Sequence, residues 1–175
     1  DSYTTPDDSA VIAKLEDWQD RKFGIFFHWG VYSIPGISES WPLCSEDKFM
    51  ARRRKIQPDM NYDEFKKWYW DLSKQFNPSE FNATDWAALM KSAGMKYMVF
   101  TTKHHDGFCM YDSKLTDYTI TNQTGIDPLK DLIDEFRNHG FMIGTYFSKA
   151  DWHSPWYWNP DKATPARGVN YCSFI

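Results

Sequence analysis

The sequence predicts an α/β fold, a parallel sheet crossed by helices, and three observations point to it. Short apolar runs, "KFGIFFH", "MKYMVFTT" and "FMIGTYFS", have the length of strands. Stretches with apolar residues at helical spacing separate them. Each run then empties into a loop rich in histidine, tryptophan and aspartate. Strands apolar on both faces and separated by helices belong to a parallel sheet covered by helices. The carboxyl ends of such strands carry the site in barrels and open sheets alike.

In chain order, Val11, Leu15 and Trp18 mark a first helix, and a strand over Phe23–His28 follows. Phe65, Trp68, Tyr69 and Leu72 recur at helical spacing and predict an amphipathic helix. Thr84 or Asp85 caps the next helix, which sets Trp86, Leu89, Met90 and Ala93 on one face and stops at Gly94. A strand over Met95–Thr101 comes after it. Asp127 and Pro128 read as an N-cap with proline at the first helical position. Leu129, Leu132, Ile133 and Phe136 form that helix's apolar stripe, Gly140 ends it, and a strand over Phe141–Ser148 follows. The three strands are expected to be parallel neighbours, with His28, His104 and Tyr146 brought to a common face.

Composition narrows the function. A chain of 175 residues fits one domain, and 42% hydrophobic with 25% charged residues is globular. No apolar run approaches the ~20 residues of a membrane helix, so no membrane role is expected. The polar opening "DSYTTPDDSA" has no signal-peptide pattern, as the mature form of an exported protein would not. Net charge is −4, and the one basic cluster, Arg52 to Lys55, sits beside Glu46 and Asp47. A nucleic-acid groove needs a broader basic field, so that cluster reads as a solvated or salt-bridged face. Cys44, Cys109 and Cys172 permit at most one bridge and suit neither a disulfide framework nor a zinc knuckle. Aromatic residues reach 18%. A large core accounts for most of them, but not easily for "HSPWYWNP" at 153–160, where they sit among turn residues.

The stretch "TTKHHDGF" places His104 and His105 side by side at a strand end. Neighbouring side chains point to opposite faces of an extended backbone, so the chain must turn there. Adjacent histidines are poorly placed to ligate one ion together; a metal site would have to join His28, one of the pair and Asp106. The sequence has no Gly-x-Ser-x-Gly elbow, no Gly-x-Gly-x-x-Gly and no Walker loop. A polyol site fits better. A neutral imidazole offers one donor and one acceptor, which matches hydroxyls that do both, and aromatic rings supply flat faces for a sugar.

The motifs "KFGIFFHWGVYSIPG", "ESWPLCSEDKF", "FNPSEFNATDWAALMKSAGMKYMVFTTKHHDGFCMYDS" and "IGTYFSKADWHSPWYW" together resemble α-L-fucosidases of glycoside hydrolase family 29. The resemblance implies a (β/α)8-like TIM barrel, usually followed by a β-sandwich. Residues 1–175 would be the N-terminal part of that catalytic domain, about half the barrel. It implies a retaining hydrolase that releases α-linked L-fucose from glycans or small fucosides, with no cofactor and no metal. It assigns the fucose pocket to His28, Glu39, Trp41, His104, His105 and Tyr146, with Trp29, Asp151 and Trp152 as neighbours. In the family the nucleophilic aspartate lies on a later strand and the acid/base later still, so the resemblance implies that both lie beyond Ile175; Asp106 and Asp151 belong to its pocket-wall motifs. A half barrel leaves sheet edges unpaired, which invites dimerisation. The alternative is a non-catalytic half barrel that binds sugar or pairs with a partner chain. By family analogy the protein is exported or lysosomal, and Asn82-Ala83-Thr84 and Asn122-Gln123-Thr124 are glycosylation sequons.

Overall fold

The computed structural model describes residues 7–44 and 47–154. Three strands, β1 (Gly24–Phe27), β2 (Tyr97–Lys103) and β3 (Met142–Phe147), form one parallel sheet in the order β1-β2-β3. Among the described residues six α-helices accompany them: α1 (Ser9–Asp20), α2 (Asp47–Ile56), α3 (Tyr62–Asp71), α4 (Ala83–Ser92), α5 (Ile120–Thr124) and α6 (Pro128–Asn138). Parallel neighbours need long crossovers, which α2 to α4 and then α5 and α6 supply.

The register explains why each strand is apolar. Ile25, Met98 and Ile143 lie abreast, and so do Phe27, Phe100 and Thr145. Side chains abreast share one face. On it Phe27 meets Trp86 of α4 at 5.0 Å and Phe136 of α6 at 6.0 Å between ring centres. Leu132 and Phe136 of α6 are fully buried, and each such burial stabilises by about 1.5–3 kcal/mol. The opposite face carries Phe26, Val99 and Tyr146, and Phe26 is 47% exposed. Among the described residues helices cover one face of this sheet, whereas the apolar strands predicted two covered faces.

Helix ends follow local chemistry. Asp127 accepts the Lys130 N–H and Pro128 opens α6, as expected, and Gly140 ends it with a φ of +79°. The cap of α4 is Asn82, not Thr84 or Asp85. Asn82 is extended, with φ −140° and ψ 105°, and its side chain accepts the N–H groups of Thr84 and Asp85. It leaves those two residues inside the first turn. The first helix forms as the spacing predicted but buries none of its residues, and Trp18 is 53% exposed.

The basic cluster is not simply a solvated face. Arg53 is buried, donates to the carbonyl oxygens of Pro42 and Cys44, and lies over the Tyr62 ring. It pins the segment that carries Glu39 and Trp41. Cys44 is disulfide-bonded, and Cys109 is a free, buried thiol. Cys172 and the aromatic stretch 155–160 lie outside the described residues.

Candidate functional site

The carboxyl ends of the three strands build a cup. His28 follows β1 directly. The chain then runs through two 3-10 turns, Val31–Ser33 and Trp41–Leu43, with Glu39 between them in the left-handed region at φ +56°. A non-glycine residue there is uncommon and strained, and such strain gathers at functional sites. Glu39 turns its carboxylate toward three ring nitrogens. Trp41 donates its indole N–H to Oε2 at 2.7 Å, His104 Nε2 lies 3.3 Å from the same oxygen, and His28 Nε2 lies 3.6 Å from Oε1.

The tandem histidines stand on a turn. The pairing of β2 with β3 shifts between Thr101 and Lys103, and the Gly107 N–H donates to the His104 carbonyl at 3.2 Å. Gly107 takes φ +83°, and a Cβ there would lie 2.5 Å from Asp151 Oδ1, so only glycine suits the position. The two imidazoles sit 4.5 Å apart, tilted by 59°. Two adjacent rings thus lie side by side, which a straight strand would forbid.

A loop after β3 closes the back. The Trp152 N–H donates to the His105 carbonyl at 2.7 Å, and the Trp152 ring lies 4.9 Å from His105. Buried Lys103 donates to the Ala150 carbonyl at 2.9 Å and sits 3.8 Å from Asp151, clamping the β2 and β3 loops together. Ser40 Oγ lies 2.5 Å from His104 Nδ1, and Ser148 Oγ hydrogen-bonds His105 Nδ1.

All six residues of the predicted pocket meet here. His28 lies 5.9 Å from His104 and 6.1 Å from Tyr146, and Trp41 lies 4.9 Å from His105. His104 and His105 form the buried floor; Glu39, Trp41 and Tyr146 are half-buried and His28 is exposed at the rim. Burial pushes His104 down to about 3, with the neighbouring His105 and His28 adding to it, and pushes His105 down to about 4. Both rings are neutral at ordinary pH.

One expected neighbour falls elsewhere. Trp29 packs into the core against Phe76, Phe81 and Trp86, because the chain after His28 turns its next side chain away from the cup. Asp106 does not join His28 in a metal site. It is buried, accepts the Tyr69 hydroxyl at 2.9 Å and the Phe108 N–H, and burial lifts it to about 6. Asp151 spends one oxygen on the N–H groups of His153 and Ser154. Among the described residues the donor set that could hold a divalent cation is instead His28, Glu39 and His104, whose ligand atoms lie within 4.8 Å of one another. Sequence reading missed Ser40, Ser148 and Lys103. All three lie inside quoted motifs, Ser40 in "ESWPLCSEDKF", Lys103 in "TTKHHDGF" and Ser148 in "IGTYFSKADWHSPWYW", yet serine and lysine carry no signal until their partners are known.

Known proteins resemble this chain over most of its length. The sequence profile described as alpha-L-fucosidase matches residues 1–175. A putative alpha-L-fucosidase of Caenorhabditis elegans is 34% identical over 165 residues, which are 90% of this chain and 34% of that protein. Alpha-L-fucosidase isoenzyme 1 from Paenibacillus thiaminolyticus superimposes with a TM-score of 0.67 at 38% identity, over 84% of this chain and 31% of that one. A Thermotoga maritima alpha-fucosidase solved in complex with fucose gives a TM-score of 0.60 at 33% identity, over 77% and 35%. The chain spans about a third of the length of the curated relatives it matches. With that profile match over its whole length, the chain belongs to the α-L-fucosidase family, glycoside hydrolase family 29.

Proposed function

We propose that this chain forms the L-fucose pocket of a retaining α-L-fucosidase whose complete catalytic domain is a (β/α)8 barrel. The observation that carries the reading is the convergence of His28, Glu39, Trp41, His104, His105 and Tyr146 on one strand-end cup with a floor of neutral imidazoles. Neutral rings both give and take hydrogen bonds, as sugar hydroxyls require. Trp41 supplies a flat face, and Glu39 accepts from hydroxyls. The Thermotoga maritima relative was solved with fucose, which supports that sugar as the occupant. The half-open sheet face with Phe26 and Tyr146 is what the interior of a partial barrel would present.

The reaction needs groups that the described residues do not turn into the cup. A retaining glycosidase uses two carboxyl groups about 5–5.5 Å apart. Among the described residues Glu39 is the acid that meets the cup histidines, while Asp106 and Asp151 are engaged elsewhere. As the resemblance implies, the nucleophile and the acid/base would come from later in the complete protein, with residues 1–175 the N-terminal part of its catalytic domain. The substrates are fucosylated glycans or small fucosides, the compartment exported or lysosomal.

The test is hydrolysis of an aryl α-L-fucoside. The full-length protein should turn it over, and the 175-residue chain alone should not. His28→Ala, His104→Ala or His105→Ala in the full-length protein should weaken inhibition by free fucose by about 1–3 kcal/mol each, where 1.4 kcal/mol is roughly tenfold. Unchanged inhibition in all three would refute the pocket. A second reading, a catalytic cation held by His28, Glu39 and His104, is favoured by their close ligand atoms. Chelator treatment separates the two: activity should survive it, and loss restored by added zinc would favour the metal.

A further inference from the structure

We propose that two buried serines hold His104 and His105 in opposite neutral tautomers, so that adjacent rings offer a ligand one donor and one acceptor. Ser40 and Ser148 are then positioning residues. The assignment follows from counting protons. Glu39 Oε2 already accepts the Trp41 indole N–H at 2.7 Å, and an indole nitrogen can only donate. His104 Nε2 faces that same oxygen at 3.3 Å. A bare nitrogen lone pair against an accepting carboxylate oxygen would be repelled, so Nε2 carries the proton. His104 Nδ1 is then bare and accepts the hydroxyl proton of Ser40 at 2.5 Å.

At His105 the count runs the other way. Ser148 Oγ lies 3.2 Å from the carbonyl oxygen of Ala150, which can only accept. The one hydroxyl proton of Ser148 goes there. Its oxygen therefore accepts from His105, whose Nδ1 carries the proton and whose Nε2 is a bare acceptor. Both serines are buried, Ser40 fully and Ser148 at 3% exposure, so water does not compete for these bonds. Burial also keeps both rings uncharged, as the downward shifts require.

The consequence is a vicinal-diol reader. At 3.3 Å the contact of His104 Nε2–H with Glu39 Oε2 is long, so a hydroxyl that accepts can share or take over that proton, whereas a hydroxyl at His105 Nε2 must donate. That consequence rests on the fucose-pocket reading; the tautomers themselves do not.

Isotope-labelled imidazole nitrogens in the full-length protein, followed by long-range proton–nitrogen correlation, show which nitrogen of each ring is protonated. His104→Gln and His105→Gln assign the signals by their disappearance. We expect His104 protonated at Nε2 and His105 at Nδ1 in the sugar-free protein. The same tautomer on both rings, or the reverse pair, overturns the proposal. Ser148→Ala should move His105 toward the Nε2–H form, leave His104 unchanged, and weaken binding of free L-fucose about tenfold, the cost of one mismatched hydrogen bond. Opposite tautomers in the parent protein with unchanged fucose affinity in Ser148→Ala would uphold the tautomers and overturn the sugar reading. If Ser148→Ala does not fold, the spectrum of the parent protein still decides.

Discussion

His104, His105 and Asp106 are three consecutive residues that burial moves in two directions. The imidazoles fall from an ordinary 6.5 to about 3 and about 4, and Asp106 rises from 3.8 to about 6. Between about 4 and 6.5 the unfolded chain binds protons on both histidines that the folded chain refuses, so their contribution to stability grows with pH there. Asp106 acts oppositely: from 3.8 to about 6 the folded state holds the extra proton, so its contribution shrinks as pH rises. Two imidazoles with the larger shifts outweigh one carboxyl. The urea midpoint should therefore fall as pH drops from 6.5 to 4.5, and His105→Gln should flatten that dependence. A midpoint that rises on acidification would contradict the burial. The histidines were legible in the sequence because two adjacent imidazoles at a strand end demand a turn. The inward aim of Asp106 was not, because its partner Tyr69 lies 37 positions away.

The turn at 104–107 joins the β2 end to the loop after β3, and glycine makes the join. Gly107→Ala must accept φ +83° and a Cβ 2.5 Å from Asp151 Oδ1, where it would press on the loop that backs His105. Such a substitution should cost about 1–3 kcal/mol and displace Asp151 and His153. Gly125, at φ +75° with open space around its missing Cβ, should cost only about 1 kcal/mol as alanine. Urea titrations of the two variants check this; equal destabilisation would mean that the close approach does not matter. Strands and helices were legible as elements because their periodicities are local. Caps were less so: at α4 the spacing pointed to Thr84 or Asp85, whereas the backbone geometry makes Asn82 the cap. Trp29 shows the same limit, since the motif "HWG" does not reveal that its two rings part, one to the cup and one to the core.

Over the whole molecule, the sheet has one face packed under α4 and α6 and two edge strands, β1 and β3. Phe23, Phe26 and Phe147 are each about half exposed along those edges. Exposed apolar residues beside unpaired strand edges favour association. The isolated 175-residue chain should therefore sediment as species heavier than its 20.7 kDa monomer, increasingly so with concentration. A strictly monomeric chain at all concentrations would show that this face is stable in water. The parallel order was legible from strands alternating with helices, while the uncovered face was not, since apolar strands read alike whatever covers them.

We propose the cup at the three strand ends as the seat of L-fucose. A crystal structure of the full-length protein soaked with L-fucose tests it most directly. The sugar should lie within hydrogen-bonding distance of His28, Glu39, His104 and His105, with an apolar face of its ring against Trp41 or Tyr146. Fucose bound away from these residues, or a metal ion occupying their midst with no sugar, would contradict it.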